Sequence, residues 1–267
     1  MSASPSLPAP GVAPAVDLAG RVVLITGATG GLGRVIALAC ASAGATVVIH
    51  ARVVRKLEAL YDEILAAGAP EPMILPLDLR SAGPADFSNV AGALQAKLGR
   101  LDALVHVAAL LGSLGPVEHQ QFDTWLELLR VNVAAPMGLT RAVLPLLTGA
   151  VDASVVLTLD SRGQAPRAYW GGYAVSKAAL AAFVRELADE WENRPGLRVN
   201  AVVPGPIHSP LRRQTHPGEH ADTLPPPASL VPLYLALIGG QSKADSNQLV
   251  DAQAWLVGKP CTVSLLP

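Results

Sequence analysis

Two side chains in the second half of the chain have the types and the spacing to move a proton. Tyr173 and Lys177 stand in the run Tyr173-Ala174-Val175-Ser176-Lys177, at the head of a long amphipathic stretch. Positions four apart share one face of a helix, so a phenol and an ammonium there lie side by side. A neighbouring cation favours the phenolate and draws the phenol down from its usual pKa of about 10. An acid or base working near neutrality needs that shift. By itself the spacing also fits an ordinary solvated helix face.

A second constellation lies near the start. Thr26-Gly27-Ala28-Thr29-Gly30-Gly31-Leu32-Gly33 follows an apolar run and leads into a helical pattern. Glycines there allow a tight turn, close backbone approach to a phosphate and close packing of helix on strand. The free N–H groups and positive dipole end of the next helix suit a pyrophosphate. The bland reading is a plain tight turn between strand and helix. Farther on, a second apolar run ends at His50-Ala51-Arg52, with no Asp or Glu between Gly44 and Lys56. An acidic residue at that point suits a free ribose 2′-hydroxyl and an arginine suits a 2′-phosphate, so Arg52 favours NADP over NAD. A solvated arginine opening the next helix is the alternative.

These residues need elements to hold them, and the apolar pattern supplies them. Val22–Ile25, Val47–Ile49, Met73–Leu75, Leu101–Val107, Val155–Leu157 and Leu197–Val203 read as strands; Lys56–Ala67 and Val90–Leu98 read as helices. Apolar runs without alternation mark strands covered on both faces, as in parallel sheets. Strand and helix in turn predict right-handed βαβ units and a single α/β domain with a doubly wound, Rossmann-type sheet. Met1–Asp17, rich in Ser, Pro and Ala, reads as a loose arm before a domain spanning 18–267. Pro204–Ala228 breaks the rhythm with Pro, Gly and three His, and its place after a strand's carboxyl end predicts a substrate lid.

Composition narrows the class. Hydrophobic residues make up 51% of the 267 and charged ones 15%, which excludes a disordered chain. A formal charge of −1 leaves no electrostatic footprint for nucleic acid. Gly, Pro, Arg or Asp interrupt the apolar runs before the length of a spanning helix, so no membrane partner is expected. The opening residues carry no basic n-region, and two cysteines, Cys40 and Cys261, suggest no disulfide framework; both point to the cytoplasm. His208, His216 and His220 read as solvated lid histidines rather than metal ligands, so no metal is expected.

The glycine turn, Asp78 after the third strand, Asn132 in a mid-chain helix, Tyr173 with Lys177, and Pro204-Gly205 after the sixth strand occur in one order. In that order they resemble the short-chain dehydrogenase/reductase family over residues 20–252. Val105–Gly112, Tyr169–Tyr173, Val231–Leu235 and Asp251–Gln253 look most like its bacterial YciK-type branch. The resemblance implies an NADP-dependent oxidoreductase passing hydride between nicotinamide and a carbonyl or alcohol substrate, as a homodimer or homotetramer. It implies that Thr26, Gly27, Gly31 and Gly33 hold the pyrophosphate turn, with Thr29, Leu32 and Ala108 completing the cofactor set. Arg52 would take the 2′-phosphate, Asp78 and Leu79 would flank adenine, and Pro204, Gly205 and Ile207 would border nicotinamide. Tyr173 would exchange the proton, Lys177 would bind ribose hydroxyls and acidify Tyr173, and Asn132 would hold a relay water.

The chain departs from the pattern twice. Where the family places a serine, thirteen residues before the tyrosine, stands Asp160. A hydroxyl donates a hydrogen bond to the substrate oxygen; an ionised carboxylate only accepts. It would repel a developing oxyanion and raise the Tyr173 pKa. Ser161, next door, is the candidate substitute donor. The second departure is Val107-Ala108-Ala109 in place of Asn-Ala-Gly, which removes a side chain that ties the central strand to its neighbours. Together they keep open an alternative, a nucleotide-binding protein with little chemistry that acts as a sensor or assembly partner.

Overall fold

The computed structural model describes residues 7–8, 16–194, 196–239 and 246–265. The apolar runs become the strands β1 (Val22–Thr26), β2 (Thr46–Ala51), β3 (Met73–Pro76), β4 (Ala103–His106), β5 (Ala153–Thr158) and β6 (Leu197–Val203). Two more follow, β7 (Gln248–Asp251) and β8 (Thr262–Ser264). They form one sheet in the order β3-β2-β1-β4-β5-β6-β7-β8, parallel except for β8. Neither β7 nor β8 was legible as a strand. Each is short and at most half apolar, and of the two only β8 forms an edge of the sheet.

Helices cover both faces. On one lie α1 (Gly31–Ser42) and α2 (Val54–Ala66). On the other lie α3 (Pro84–Leu98), then α4 (Phe122–Leu129) running through a π turn at Arg130–Ala134 into α5 (Ala135–Thr148). After β5 come the short α6 (Ser161–Gln164) and the long α7 (Gly171–Glu190). After β6 come α8 (Pro210–Thr215), α9 (Val231–Gly239) and α10 (Ala252–Leu256). Alternate residues of a strand feed opposite layers: Val22 and Leu24 join the core under α3, α5 and α7, while Val23 and Ile25 join that under α1, α2 and α9. The α4–α5 run is long and apolar enough to cross a membrane, but half of its most apolar stretch is buried in the fold.

Most of the arm expected over Met1–Asp17 lies outside the described residues. Of the rest, Leu7 packs on the core and the Pro8 carbonyl accepts the Trp255 indole N–H at 2.8 Å. Pro204–Ala228 is less irregular than its composition suggests. Ser209 caps α8 by accepting the Arg212 N–H, and two 3₁₀ turns follow at Ala221–Thr223 and Pro227–Leu230.

Strand order reverses between β1 and β4, which leaves a crevice at their carboxyl ends. The tie lost with Val107 is made from the other side. Thr26 Oγ1 accepts the N–H groups of Val107 (3.1 Å) and Ala108 (3.2 Å) and reaches the Val105 carbonyl at 3.5 Å. Thr26→Val keeps the shape and orphans two N–H groups. At about 1–3 kcal/mol for each unsatisfied group, urea unfolding is expected to show a loss of about 2 kcal/mol or more. A loss under about 0.5 kcal/mol would mean that other contacts hold the two strands.

Candidate active site

The carboxyl ends of β1, β2, β4, β5 and β6 open on one cleft of about 480 Å³. Its first half is a cradle without side chains. Gly27 has φ +68°, and a Cβ there would come within 2.9 Å of the Ala108 backbone. A Cβ on Gly33 would overlap the Gly27 carbonyl. The turn thus packs helix on strand at backbone distance, as the sequence required. Its N-cap Gly30 offers no side-chain acceptor and its first turn no acidic residue, so the leading N–H groups of α1 face the cleft uncapped. Thr29, Gly31 and Leu32 line the same end. Arg52 lies exposed at the end of β2 and makes no ion pair among the described residues, with Lys56 beside it on the cleft wall. An uncapped helix N-terminus, a bare turn and a free guanidinium fit a phosphorylated dinucleotide. Asp78 and Leu79 line the cleft after β3; Asp78 accepts the Arg80 N–H at 3.0 Å.

The second half holds Tyr173 and Lys177. Tyr173 and Lys177 begin α7, 2% and 3% exposed, with the ammonium 5.9 Å from the phenol ring centre. Asp160 ends the loop after β5, half-buried. Its Oδ1 caps α6 by accepting the Arg162 N–H at 2.8 Å, and its Oδ2 accepts the Tyr173 hydroxyl at 2.9 Å. Lys177 Nζ donates to the Thr158 carbonyl at 3.0 Å, and the Thr158 hydroxyl meets Tyr234 Oη at 2.9 Å.

Burial, then the Asp160 charge and hydrogen bond, hold the Tyr173 phenol well above its usual range. The acidification expected from Lys177 is overridden, because a buried site disfavours phenolate and the adjacent carboxylate adds to that. Burial pushes Lys177 down to about 8 against the pull of Asp160.

Ser161 and Asn132 sit elsewhere. Ser161 opens α6 exposed to solvent and does not line the cleft. Asn132 is buried in the π turn, where its Oδ1 accepts the Leu110 N–H and its Nδ2 donates to the Leu110 carbonyl and Ser176 Oγ, all within 2.9 Å. Its carboxamide clamps the loop after β4 to α7, with neither N–H left for a water. Pro204, Gly205 and Ile207 line the cleft beyond β6. Gln253 holds them: its Nε2 donates to the carbonyls of Pro204 (2.7 Å) and Pro206 (3.2 Å). The sequence marked Gln253 only within the Asp251–Gln253 resemblance and not for this role, which depends on α10 folding back across a separation of 49 residues.

Residues 21–220 match the family model of short chain dehydrogenases. The chain belongs to the short-chain dehydrogenase/reductase family. It is 37% identical over 233 residues to the Escherichia coli oxidoreductase YciK, covering 87% of this chain and 92% of that one. A short chain dehydrogenase structure from Pseudomonas syringae superposes with a TM-score of 0.87 at 38% identity, covering 91% of this chain and 98% of its own. An Escherichia coli short chain dehydrogenase complexed with NADPH does so at 0.85 and 37%, covering 90% and 99%. Membership makes this chain an oxidoreductase of that family, on the Rossmann-type sheet expected of it.

The buried Lys177 has a consequence for stability. Its folded pKa of about 8 lies below the ordinary 10.5, so below pH 8 the fold carries the cost of a buried charge. Between pH 8 and 10.5 the unfolded chain binds more protons than the folded one, and stability rises with pH. Lys177→Met is expected to raise the melting temperature at pH 7, with the gain shrinking toward pH 10 in thermal unfolding across that range. A variant less stable than the parent at pH 7 would show that the bond to Thr158 outweighs the burial cost.

Proposed function

We propose that this chain is an NADP(H)-dependent oxidoreductase that interconverts a carbonyl and an alcohol. One observation carries the reading: a single cleft joins a bare phosphate cradle and Arg52 to the buried Tyr173–Lys177 pair. Bound there, NADP(H) supplies or removes a hydride at the substrate carbon. The solved relatives complexed with NADP, from Shigella flexneri, and with NADPH, from Escherichia coli, support the cofactor.

In this reading Thr26 braces the turn, Gly27, Thr29, Gly31, Leu32 and Gly33 hold the pyrophosphate, and Arg52 pairs with the 2′-phosphate. Asp78 and Leu79 flank the adenine, while Ala108, Pro204, Gly205 and Ile207 border the nicotinamide. Lys177 binds ribose hydroxyls, and Tyr173 gives the substrate oxygen its proton. A phenol held well above its usual range keeps its proton at neutral pH, so the form that reduction needs is the one present, though it gives that proton up less readily than a phenol tuned near neutrality. Asn132 positions the loop after β4. Residues 18–267 form one cofactor-binding domain, and Pro204–Ala228 acts as its lid, with Ser209, Pro210 and Leu211 on the cleft wall. Exposed Phe122, Leu126, Met137 and Val175 on α4, α5 and α7 suit a homodimer or homotetramer.

Asp160 favours the second reading, a nucleotide-binding protein with little carbonyl chemistry. Its carboxylate stands where a donor is needed, and lack of one such donor typically costs on the order of 10² to 10³ in rate. Fluorescence titration with NADPH, followed by NADPH oxidation across a carbonyl panel, separates the two. Tight binding with no turnover of any carbonyl would select the second.

NADPH is expected to bind at least about tenfold more tightly than NADH, from charge-assisted bonds to Arg52, and Arg52→Asp to invert the order. Equal affinities in parent and variant would remove Arg52 from the site. Asp160→Ser is expected to raise carbonyl turnover, most at high pH, and Tyr173→Phe to abolish it in either background. A pH–rate profile in which Asp160→Ser loses activity while Ser161→Ala is silent would make the aspartate a working group in carbonyl reduction.

A further inference from the structure

Beside Tyr173 the cleft presents hydrogen-bond acceptors where carbonyl reduction calls for donors. The Tyr173 hydroxyl is committed to Asp160 Oδ2, so the phenol oxygen keeps only lone pairs for a ligand. Asp160 accepts one bond on each oxygen, which leaves acceptor capacity on both. The neighbours that could supply a donor are engaged or turned away: Ser161 does not line the cleft, both N–H bonds of Asn132 are taken, and the Lys177 ammonium donates to the Thr158 carbonyl and, in the NADP(H) reading, gives its remaining N–H bonds to the ribose hydroxyls. Of the cleft's two carboxylates, Asp78 is at the far end after β3 and Asp160 is here. Leu110, Ile207 and Leu211 add apolar wall. A carbonyl oxygen entering this end meets lone pairs and an anion; a charged N–H meets two acceptors and a counter-charge.

We infer that the reaction end of the cleft is a cation site, and that its substrate is an iminium ion, a protonated C=N compound reduced to the amine. The inference rests on the NADP(H) reading and replaces its carbonyl with a C=N substrate. The balance closes without an oxyanion. The iminium carbon gains a hydride from NADPH, the C=N π pair moves onto nitrogen and cancels its charge, and NADPH is oxidised by two electrons to NADP⁺. No proton has to leave Tyr173 in that step. One positive charge passes from substrate to cofactor, so a fixed anion at this end of the cleft has a cation to face before and after transfer. The same carboxylate that hinders a ketone thus selects an iminium.

The test uses 3,4-dihydroisoquinolinium as the iminium, 2-tetralone as a neutral ketone of similar size, and tetrahydroisoquinolinium as the amine. NADPH oxidation gives kcat/KM, and calorimetric titration of the amine gives a readout free of turnover. The parent is expected to prefer the iminium by at least about tenfold. Asp160→Asn keeps an oxygen for the Arg162 N–H and removes the charge. It is expected to lower iminium kcat/KM and amine affinity about 30-fold or more, as loss of one partner of a buried charge pair does. Tyr173→Phe is expected to spare iminium reduction far more than ketone reduction. An NADPH titration of each variant checks the fold and the cofactor site. Preference for 2-tetralone, or amine affinity within twofold in Asp160→Asn, would overturn the cation site. If the parent binds the amine through Asp160 but does not bind NADPH, the cofactor reading and the reduction fall while the cation site stands. If it binds neither, both fall.

Discussion

The carboxyl ends of β1 and β4 must separate enough to leave a crevice and stay close enough to form one wall, and the Thr26 hydroxyl ties them at that distance. It holds the backbone of Val107 and Ala108, and Gly27, one residue on, lies against the same Ala108 at backbone contact. A side chain on Gly27 would push the strand ends apart; loss of the hydroxyl would leave two half-buried N–H groups without this partner. The glycine turn, the first turn of α1 and the loop that Asn132 clamps all take their positions from this junction. The family's usual asparagine at position 107 is dispensable here because the tie is made from β1.

The chemistry of the other half follows from depth. Tyr173 and Lys177 are both almost fully enclosed, and enclosure acts on them in opposite senses: it holds the phenol neutral and loosens the ammonium's proton. Asp160 reinforces the first effect and resists the second. A hydroxyl in its place would leave the phenol's proton free to turn toward a ligand; the carboxylate captures it. One substitution thereby changes the hydrogen-bonding polarity of the wall while the backbone around it stays ordinary, with the carboxylate also serving as the N-cap of α6.

The features legible in the sequence are those that depend on local pattern. β1, β2, β5 and β6 show as largely apolar runs because both of their faces are covered, and the glycine turn shows because backbone contact leaves no room for a Cβ. Arg52 and the Tyr173–Lys177 pair were readable from position and spacing. The misread features depend on contacts between distant segments. Asn132 reads as a polar site residue until its carboxamide is seen fastening Leu110 and Ser176; Ser161 reads as a donor until α6 turns it to solvent. The bracing role of Gln253 and the strand β7 carry no local mark. The rise in the Tyr173 pKa was half legible: the sequence supplies the charge of Asp160, and only the fold supplies the burial.

Gln253 also makes one wall of the cleft answer to residues outside it. By fastening the carbonyls of Pro204 and Pro206 it ties the start of the segment after β6 to α10 and, through Trp255, to the Pro8 carbonyl. Pro204, Gly205 and Ile207 therefore take their places on the wall from a helix that does not itself line the cleft. A change at α10 would thus reshape that wall without replacing any residue that faces into it.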